Sequence, residues 1–375
     1  MTRSFRIGRI FGIDIEIDYT WFIIFALLAL LLSRPGGPLT KDLPDLPLVA
    51  RWLLALVATV LFFCSVLLHE LSHSVVALRN GMKISGITLF IFGGVSKLTD
   101  EPRSPGIEFK MAIAGPAASF VLAVMFWALA SAVDAGPAHV LGTVFVWLAV
   151  VNAMLGAFNL LPGFPLDGGR VLRAGLWQWL SNLREATRIA SAFGQGLGTL
   201  MIVFGVFIFA AGGGINGLWL AFIGWFLIQA ASSSYQQVLV RQLLSDVTVG
   251  DVMTRDVDTV PADSTLEDVV HDHVMMRSHP AYPVFDHGQL LGLLTLGDIR
   301  HVPREQRDHV TAREVVPPLS EAQTIAPDTE VWDALGKMMA SNQGRLLVLD
   351  DDHLAGIISR SDILRVMRTR MELAS

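Results

Sequence analysis

Cysteine and charge are the scarce components of this chain. The one cysteine, Cys64, can form no internal disulfide, and it lies in an apolar run where a free cysteine behaves as a small hydrophobe. It is assigned no role. Charged residues make up 17% of the 375 positions and hydrophobic residues 52%, whereas soluble domains carry about 25% charged residues. That balance argues against an ordinary soluble enzyme. With a formal net charge of −6 no basic face is implied, so nucleic acid is not an expected partner. A small-residue cleavage site is missing before Pro35, and Asp14, Glu16 and Asp18 interrupt the approach from Arg3, Arg6 and Arg9 to the first apolar run. A cleaved signal peptide is therefore not expected.

The charge that is present is divided unevenly. Residues 1–240 carry 15 Lys or Arg and 12 Asp or Glu, and residues 241–375 carry 13 and 22, so a slightly basic section precedes an acidic one. A bilayer core takes about 20 mostly apolar residues per helix. Uncharged stretches at 52–69, 111–133 and 135–166 each supply a span, the first running on as an apolar helix to Leu78. The 52 uncharged residues 189–240 exceed one crossing, and Gly212-Gly213-Gly214 offers a turn between two. With the short run 19–33 counted, the expected fold is a polytopic α-helical membrane protein of about six transmembrane helices. Lys and Arg of short loops stay on the cytoplasmic side. Placing the N-terminus inside puts Arg79, Lys83, Lys97, Arg103 and Lys110, then Arg170, Arg173, Arg184 and Arg188, inside as well, leaving only Arg34, Lys41 and Arg51 outside. Both termini are then cytoplasmic.

The second span contains His69-Glu70-Leu71-Ser72-His73. On a helix, positions i and i+4 share a face, so both imidazoles can reach one zinc ion while Glu70 beside it handles protons. Ionisable groups inside an apolar span are costly and mark function. A catalytic zinc needs a third protein ligand and an open position. Acidic residues near the inner side are Asp100, Glu101, Glu108, Asp167 and Glu185. Asp167 stands out, because it ends the Pro- and Gly-broken run Asn159-Leu-Leu-Pro162-Gly163-Phe-Pro165-Leu-Asp167-Gly168-Gly169-Arg170, and irregular backbone at membrane depth lines a cavity or lies buried in protein. A turn-capping aspartate is the other reading of that residue. Residues 84–98 read as two short strands around Phe92-Gly93-Gly94, a hairpin whose edge could hold an unfolded substrate by strand addition, or as an amphipathic interfacial loop.

Across roughly residues 5–235 this pattern resembles the site-2 proteases, a family of zinc intramembrane proteases. The resemblance rests on His69-Glu70-x-x-His73, on Gly115-Pro116-x-x-Ser119 and on the run from Asn152 through Arg170. It implies one Zn2+ ion held by His69, His73 and Asp167, Glu70 as the base, Asn159 as a stabiliser of the oxyanion, and a substrate-facing sheet at Gly93-Gly94. It further implies a bacterial plasma-membrane enzyme whose partners are the lipid bilayer and a single-span membrane-protein substrate, such as an anti-sigma factor or a membrane-tethered precursor.

From Val247 onward short apolar runs alternate with charged helices, and the pattern repeats. Leu290-Leu291-Gly292-Leu-Leu-Thr295-Leu-Gly-Asp298-Ile299 matches Leu354-Ala355-Gly356-Ile-Ile-Ser359-Arg-Ser-Asp362-Ile363, 64 residues later. The two copies resemble a tandem pair of CBS domains, an α+β module. In that family Thr295, Asp298, Ser359 and Asp362 would face sites for ATP, ADP or AMP, and such pairs are a route to a homodimer. A Thr or Ser with Asp three residues on is also a helix start, and both readings can hold together. His271, His273, His279, His287, His301, His309 and His353 show no ligand spacing and read as surface residues. The expected domains are a transmembrane zinc protease at 1–235, a linker at 236–245, and CBS domains at 246–305 and 306–375. The expected function is zinc-dependent endoproteolysis within the membrane, with nucleotide regulation through the CBS pair. A non-catalytic transporter, channel or scaffold regulated by that pair is the alternative.

Overall fold

The computed structural model describes residues 4–41, 46–98, 101–133, 139–277, 279–351 and 353–374. Arg3 and Asp100 lie outside the described residues. The chain divides into two compact units, Met1–Gln236 and Gln237–Ser375.

The expected hairpin at 84–98 forms as β3 (Ile84–Phe90) and β4 (Gly93–Leu98), and it is half of a four-stranded sheet. The other half is N-terminal: β1 (Ser4–Ile10) and β2 (Ile13–Asp18), in the order β1-β2-β3-β4 with β2 and β3 parallel. The run Ile13-Asp-Ile-Glu-Ile-Asp18 alternates with period two, which is a strand signal in its own right. Its isoleucines are buried, and two of its acids pair outward, Asp14 with Arg6 at 3.3 Å and Glu16 with Lys97 of β4 at 2.7 Å. The lysine holds the Glu16 carboxyl below the usual range. The apolar face, through Ile13, Ile15 and Ile87, packs on Leu71.

Among the described residues seven helices accompany the sheet, the last ending beyond Gln236: α1 (Tyr19–Ser33), α2 (Leu48–Arg79), α3 (Pro105–Ala132), α4 (His139–Asn159), α5 (Asp167–Leu180), α6 (Leu183–Ile208) and α7 (Ile215–Leu244). Five are long and apolar enough to cross a membrane, namely α2, α3, α4, α6 and α7. Their outer faces are apolar too, as at Val121, Val124 and Trp127, each more than 60% exposed. A helix that is hydrophobic all round belongs in lipid. The expected sixth crossing is α1, of 15 residues. At about 1.5 Å per residue it rises about 22 Å, short of the roughly 30 Å hydrocarbon core. Asp18 starts it by accepting from the Thr20 amide, and Pro35 follows its C-cap at Arg34. The uncharged stretch 189–240 does hold two helices, joined by a π turn at Phe209–Gly213 with Gly212 and Gly214 at φ 87° and 61°. Residues read as a linker, 236–245, continue α7 as far as Leu244.

One detail of the 159–170 run differs from expectation. Backbone is irregular only at 160–166, and Asp167 begins α5 with Gly168 and Gly169 in its first turn. A Cβ on Gly168 would collide with the Leu160 carbonyl, and one on Gly169 with the Gly163 backbone. These glycines allow the irregular segment to fold back against the helix it leads into, rather than breaking the helix.

In the second unit the sequence repeat becomes two three-stranded sheets. Strands β5 (Val260–Pro261), β6 (Ala281–Asp286) and β7 (Gln289–Thr295) form one, and β8 (Thr324–Ile325), β9 (Arg345–Asp350) and β10 (His353–Ser359) the other. In each, the short strand is parallel to the middle one and the last two form an antiparallel hairpin. The leading segments cross over: Val247, Val249 and Met253 pack in the core of the second copy, and Ala312 in that of the first. Each copy therefore lacks a complete core alone. The repeated glycines mark the crossings, since a Cβ on Gly292 would strike the Pro317 carbonyl and one on Gly356 would lie 2.7 Å from that of Thr254.

Gly356→Ala should therefore destabilise the module by about 1–3 kcal/mol, the usual cost of overpacking. Gly336→Ala, where a Cβ meets nothing within 4 Å, serves as the control in thermal melts of the full chain and should be neutral or slightly stabilising.

Candidate metal centre

Helix α2 presents His69, Glu70 and His73 near its C-terminal end, where α3 and α5 pack against the same region. His69 Nε2 and His73 Nε2 lie 3.2 Å apart, and each lies 3.1 Å from Asp167 Oδ2. The three side chains are 4%, 12% and 15% exposed. Among the described residues they are the one group of three whose ligand atoms converge tightly enough to hold a metal ion. Asp167, 94 residues beyond His73, opens α5 after the N-cap Leu166, and its carboxylate is engaged by the two imidazoles.

The outer nitrogens decide the electronics. His73 Nδ1 donates to the Met111 carbonyl at 2.7 Å, which leaves Nε2 with a lone pair. His69 Nδ1 is paired with the Ser119 hydroxyl at 2.8 Å. Two imidazole nitrogens and a carboxylate oxygen thus face one point, and a cation there would be bound by all three with both imidazoles neutral. The size also fits: four donors about 2.0–2.1 Å from a tetrahedral zinc ion stand about 3.3 Å from each other. Space is kept by Gly115 on α3, where a Cβ would collide with Nε2 of His73 and crowd that of His69. The motif Gly115-Pro116-x-x-Ser119 is accounted for in this way, with room from its glycine and an imidazole partner from its serine one turn on.

Glu70 is half-buried and points to β4. Its Oε2 accepts from Ser96 Oγ at 3.2 Å, and a Cβ on Gly94 would collide with its side chain. The base expected from the motif therefore sits directly against a strand paired on one side only among the described residues. Asn159 is half-buried at the end of α4, and its Nδ2 donates to the Leu155 carbonyl at 3.0 Å. It is not joined by a hydrogen bond to the His69, His73 and Asp167 cluster.

A model of Peptidase family M50 matches residues 57–137 and 131–204, and the CBS domain matches 249–305 and 312–369. Rip3 of Mycobacterium tuberculosis, named as a zinc metalloprotease, is 36% identical over 98% of this chain and 93% of its own. Zinc metalloprotease MJ0392 of Methanocaldococcus jannaschii is 32% identical over 98% of this chain and 97% of its own. The chain belongs to peptidase family M50. A solved site-2 protease from Methanocaldococcus jannaschii aligns with 62% of this chain and 95% of its own at 30% identity, with a TM-score of 0.43. As a member of that family the protein is a membrane-embedded zinc metalloprotease carrying a CBS pair, and a donor set buried among membrane-capable helices is consistent with proteolysis inside the bilayer.

In the CBS pair, Thr295 with Asp298 and Ser359 with Asp362 form reciprocal helix-start bonds, the hydroxyls donating to the carboxylates at 2.6 Å in both. The capping reading is realised. Ser359 and Asp362 also line a cavity of about 280 Å³ together with Asp256, Asp258, His279 and Arg345; Thr295 and Asp298 do not. Burial pushes the Arg345 guanidinium down from its ordinary pKa. Of the seven histidines read as surface residues, six are exposed, whereas His273 is half-buried and bonded to Asp258 at 2.8 Å. It sits on a π-helical turn, Val269–Val274, that turns it inward. Ser119 and Met111 could be found from sequence only as neighbours of Gly115 on one helix.

Gly115→Val should abolish zinc retention without removing a ligand. Ser119→Ala should weaken zinc binding by about 10–100-fold, as loss of an outer partner does. Metal content after dialysis against graded chelator measures both.

Proposed function

We propose that the protein cuts a membrane-protein substrate at a peptide bond in or near its transmembrane segment, with His69, His73 and Asp167 as the zinc ligands, Glu70 as the base and Asn159 as a donor to the developing oxyanion. The observation that carries this reading is the convergence of His69 Nε2, His73 Nε2 and Asp167 Oδ2 to within 3.2 Å, one residue from the Glu70 carboxylate. Zinc held by these three residues would supply a Lewis acid and lower the pKa of a bound water. Glu70 would serve as the base, taking a proton from the attacking water at a carboxylate oxygen and returning it to the leaving amide nitrogen. The Asn159 amide, freed from Leu155, donates to the scissile carbonyl oxygen as it gains charge.

A substrate helix must unwind before its amides can be reached. The open edge of β4 offers replacement backbone partners beside Glu70, which favours an extended substrate segment laid along that strand. A single-span protein such as an anti-sigma factor or a membrane-tethered precursor is the substrate class. We infer further that both termini are cytoplasmic, that the domains run 1–235, 246–305 and 306–375, that ATP, ADP or AMP occupies the cavity at Ser359 and Asp362, and that the CBS pair supports a homodimer. The Arg345 and Arg360 guanidinium groups at that cavity suit phosphate.

Purified full-chain variants test the reading. Glu70→Gln should keep one zinc ion and lose about 10²–10⁴-fold in kcat, Asp167→Ala should lose the zinc, and Asn159→Ala should lose about 10²–10³-fold in kcat. An active Glu70→Gln enzyme, or stoichiometric zinc in Asp167→Ala, refutes the assignment. Calorimetric titration with ATP and AMP should give heat that Asp362→Ala diminishes, and no heat with the unaltered chain removes the nucleotide reading.

A further inference from the structure

Beyond that reading, we propose that the buried ion pair between Glu108 and Arg173 is a positioning clasp, fixing α5, and with it Asp167, against α3. The inference rests on His69, His73 and Asp167 being the ligands. Glu108, on α3, is fully buried, and Arg173, on α5, is 7% exposed. Arg173 Nε donates to Glu108 Oε1 at 2.6 Å, and Nη2 reaches the same oxygen. The other carboxylate oxygen, Oε2, has no hydrogen-bond partner among the described residues. The guanidinium carbon lies 5.0 Å from the centre of the Phe164 ring.

Two charges taken out of water are costly, and well-packed apolar side chains of similar volume often stabilise a fold as well or better. A buried pair with one oxygen unsatisfied is a poor device for stability alone. What it supplies is register, since an ion pair accepts one alignment of two helices whereas apolar surfaces can slide.

The alignment at stake is that of the metal donors. Helix α3 carries the Met111 carbonyl and the Ser119 hydroxyl, which orient His73 and His69. Helix α5 carries Asp167 six residues before Arg173, about 9 Å along the axis at 1.5 Å per residue. Phe164, under the guanidinium, belongs to the irregular segment leading into Asp167. One side chain thus touches the helix that orients the imidazoles and the segment that delivers the carboxylate. Were α5 to slip, Asp167 would move relative to both histidines.

Two variants separate positioning from bulk stability. Glu108→Asp keeps both charges and shortens the clasp by one methylene; the double variant E108L/R173L removes both charges. Each is read as full-chain protein by the visible absorption bands of bound Co2+, by kcat and KM on a cleaved substrate, and by thermal melting. Glu108→Asp should shift the Co2+ bands and lower kcat about tenfold with KM unchanged, well within the roughly 10²-fold that a misplacement of about 1 Å can cost. The double variant should lose more kcat while still melting cooperatively. A merely structural pair moves the melting temperature and leaves the bands and kcat alone, so unchanged bands and kcat in Glu108→Asp overturn the proposal whether or not the double variant folds. Failure of the ligand assignment looks different: the unaltered protein would then show Co2+ bands that Asp167→Ala does not affect, and the clasp would fall with it.

Discussion

Two imidazole nitrogens and a carboxylate oxygen converge on one point in the interior of a helical membrane unit, the donor set a zinc ion takes. His69, His73 and Asp167 are each largely buried, where a lone ionisable group is costly. The surroundings follow from holding them at about 3.1–3.2 Å. Gly115 keeps the space clear, the Met111 carbonyl and Ser119 hydroxyl turn both imidazoles, and Gly168 and Gly169 let the chain double back so that α5 starts with its carboxylate inside.

The substrate side is built differently from the metal side. An unpaired strand edge is normally a hazard, and irregular backbone is tolerated at membrane depth only where protein or water covers it. Both features occur here: the outer edge of β4 beside Glu70, and the segment 160–166 that leads into Asp167. A protease that works on a helix embedded in lipid has to offer its substrate hydrogen-bond partners where the bilayer offers none, and in the function proposed above the edge of β4 is the source.

The second unit shows how a duplicated half-domain becomes a module. Neither copy encloses a core until the leading segment of the other crosses into it, and Gly292 and Gly356 mark where the crossings come closest. The same side chains that cap the helices, Ser359 and Asp362, open onto the cavity. Capping the helix therefore leaves both side chains on the wall of that cavity.

Much was legible in the order of residues because it is local. The spacing of His69 and His73 states a shared helix face, uncharged lengths state the long spans, and the glycines at 212–214 state a turn. The repeat at 64 residues states two like units. The N-terminal strands were not expected: β2 carries a period-two signal from Ile13 to Asp18, but its acids were read only as interruptions of an apolar approach. What tertiary structure alone decided are pairings across large separations: β2 beside β3, His69 with Ser119, Glu70 with Ser96, Glu108 with Arg173, and the exchange of leading segments between the CBS copies. Periodicity reveals which face of an element is apolar, but not which other element will cover it or at what register. That choice is made by packing over the whole unit, where each contact depends on all the others being in place.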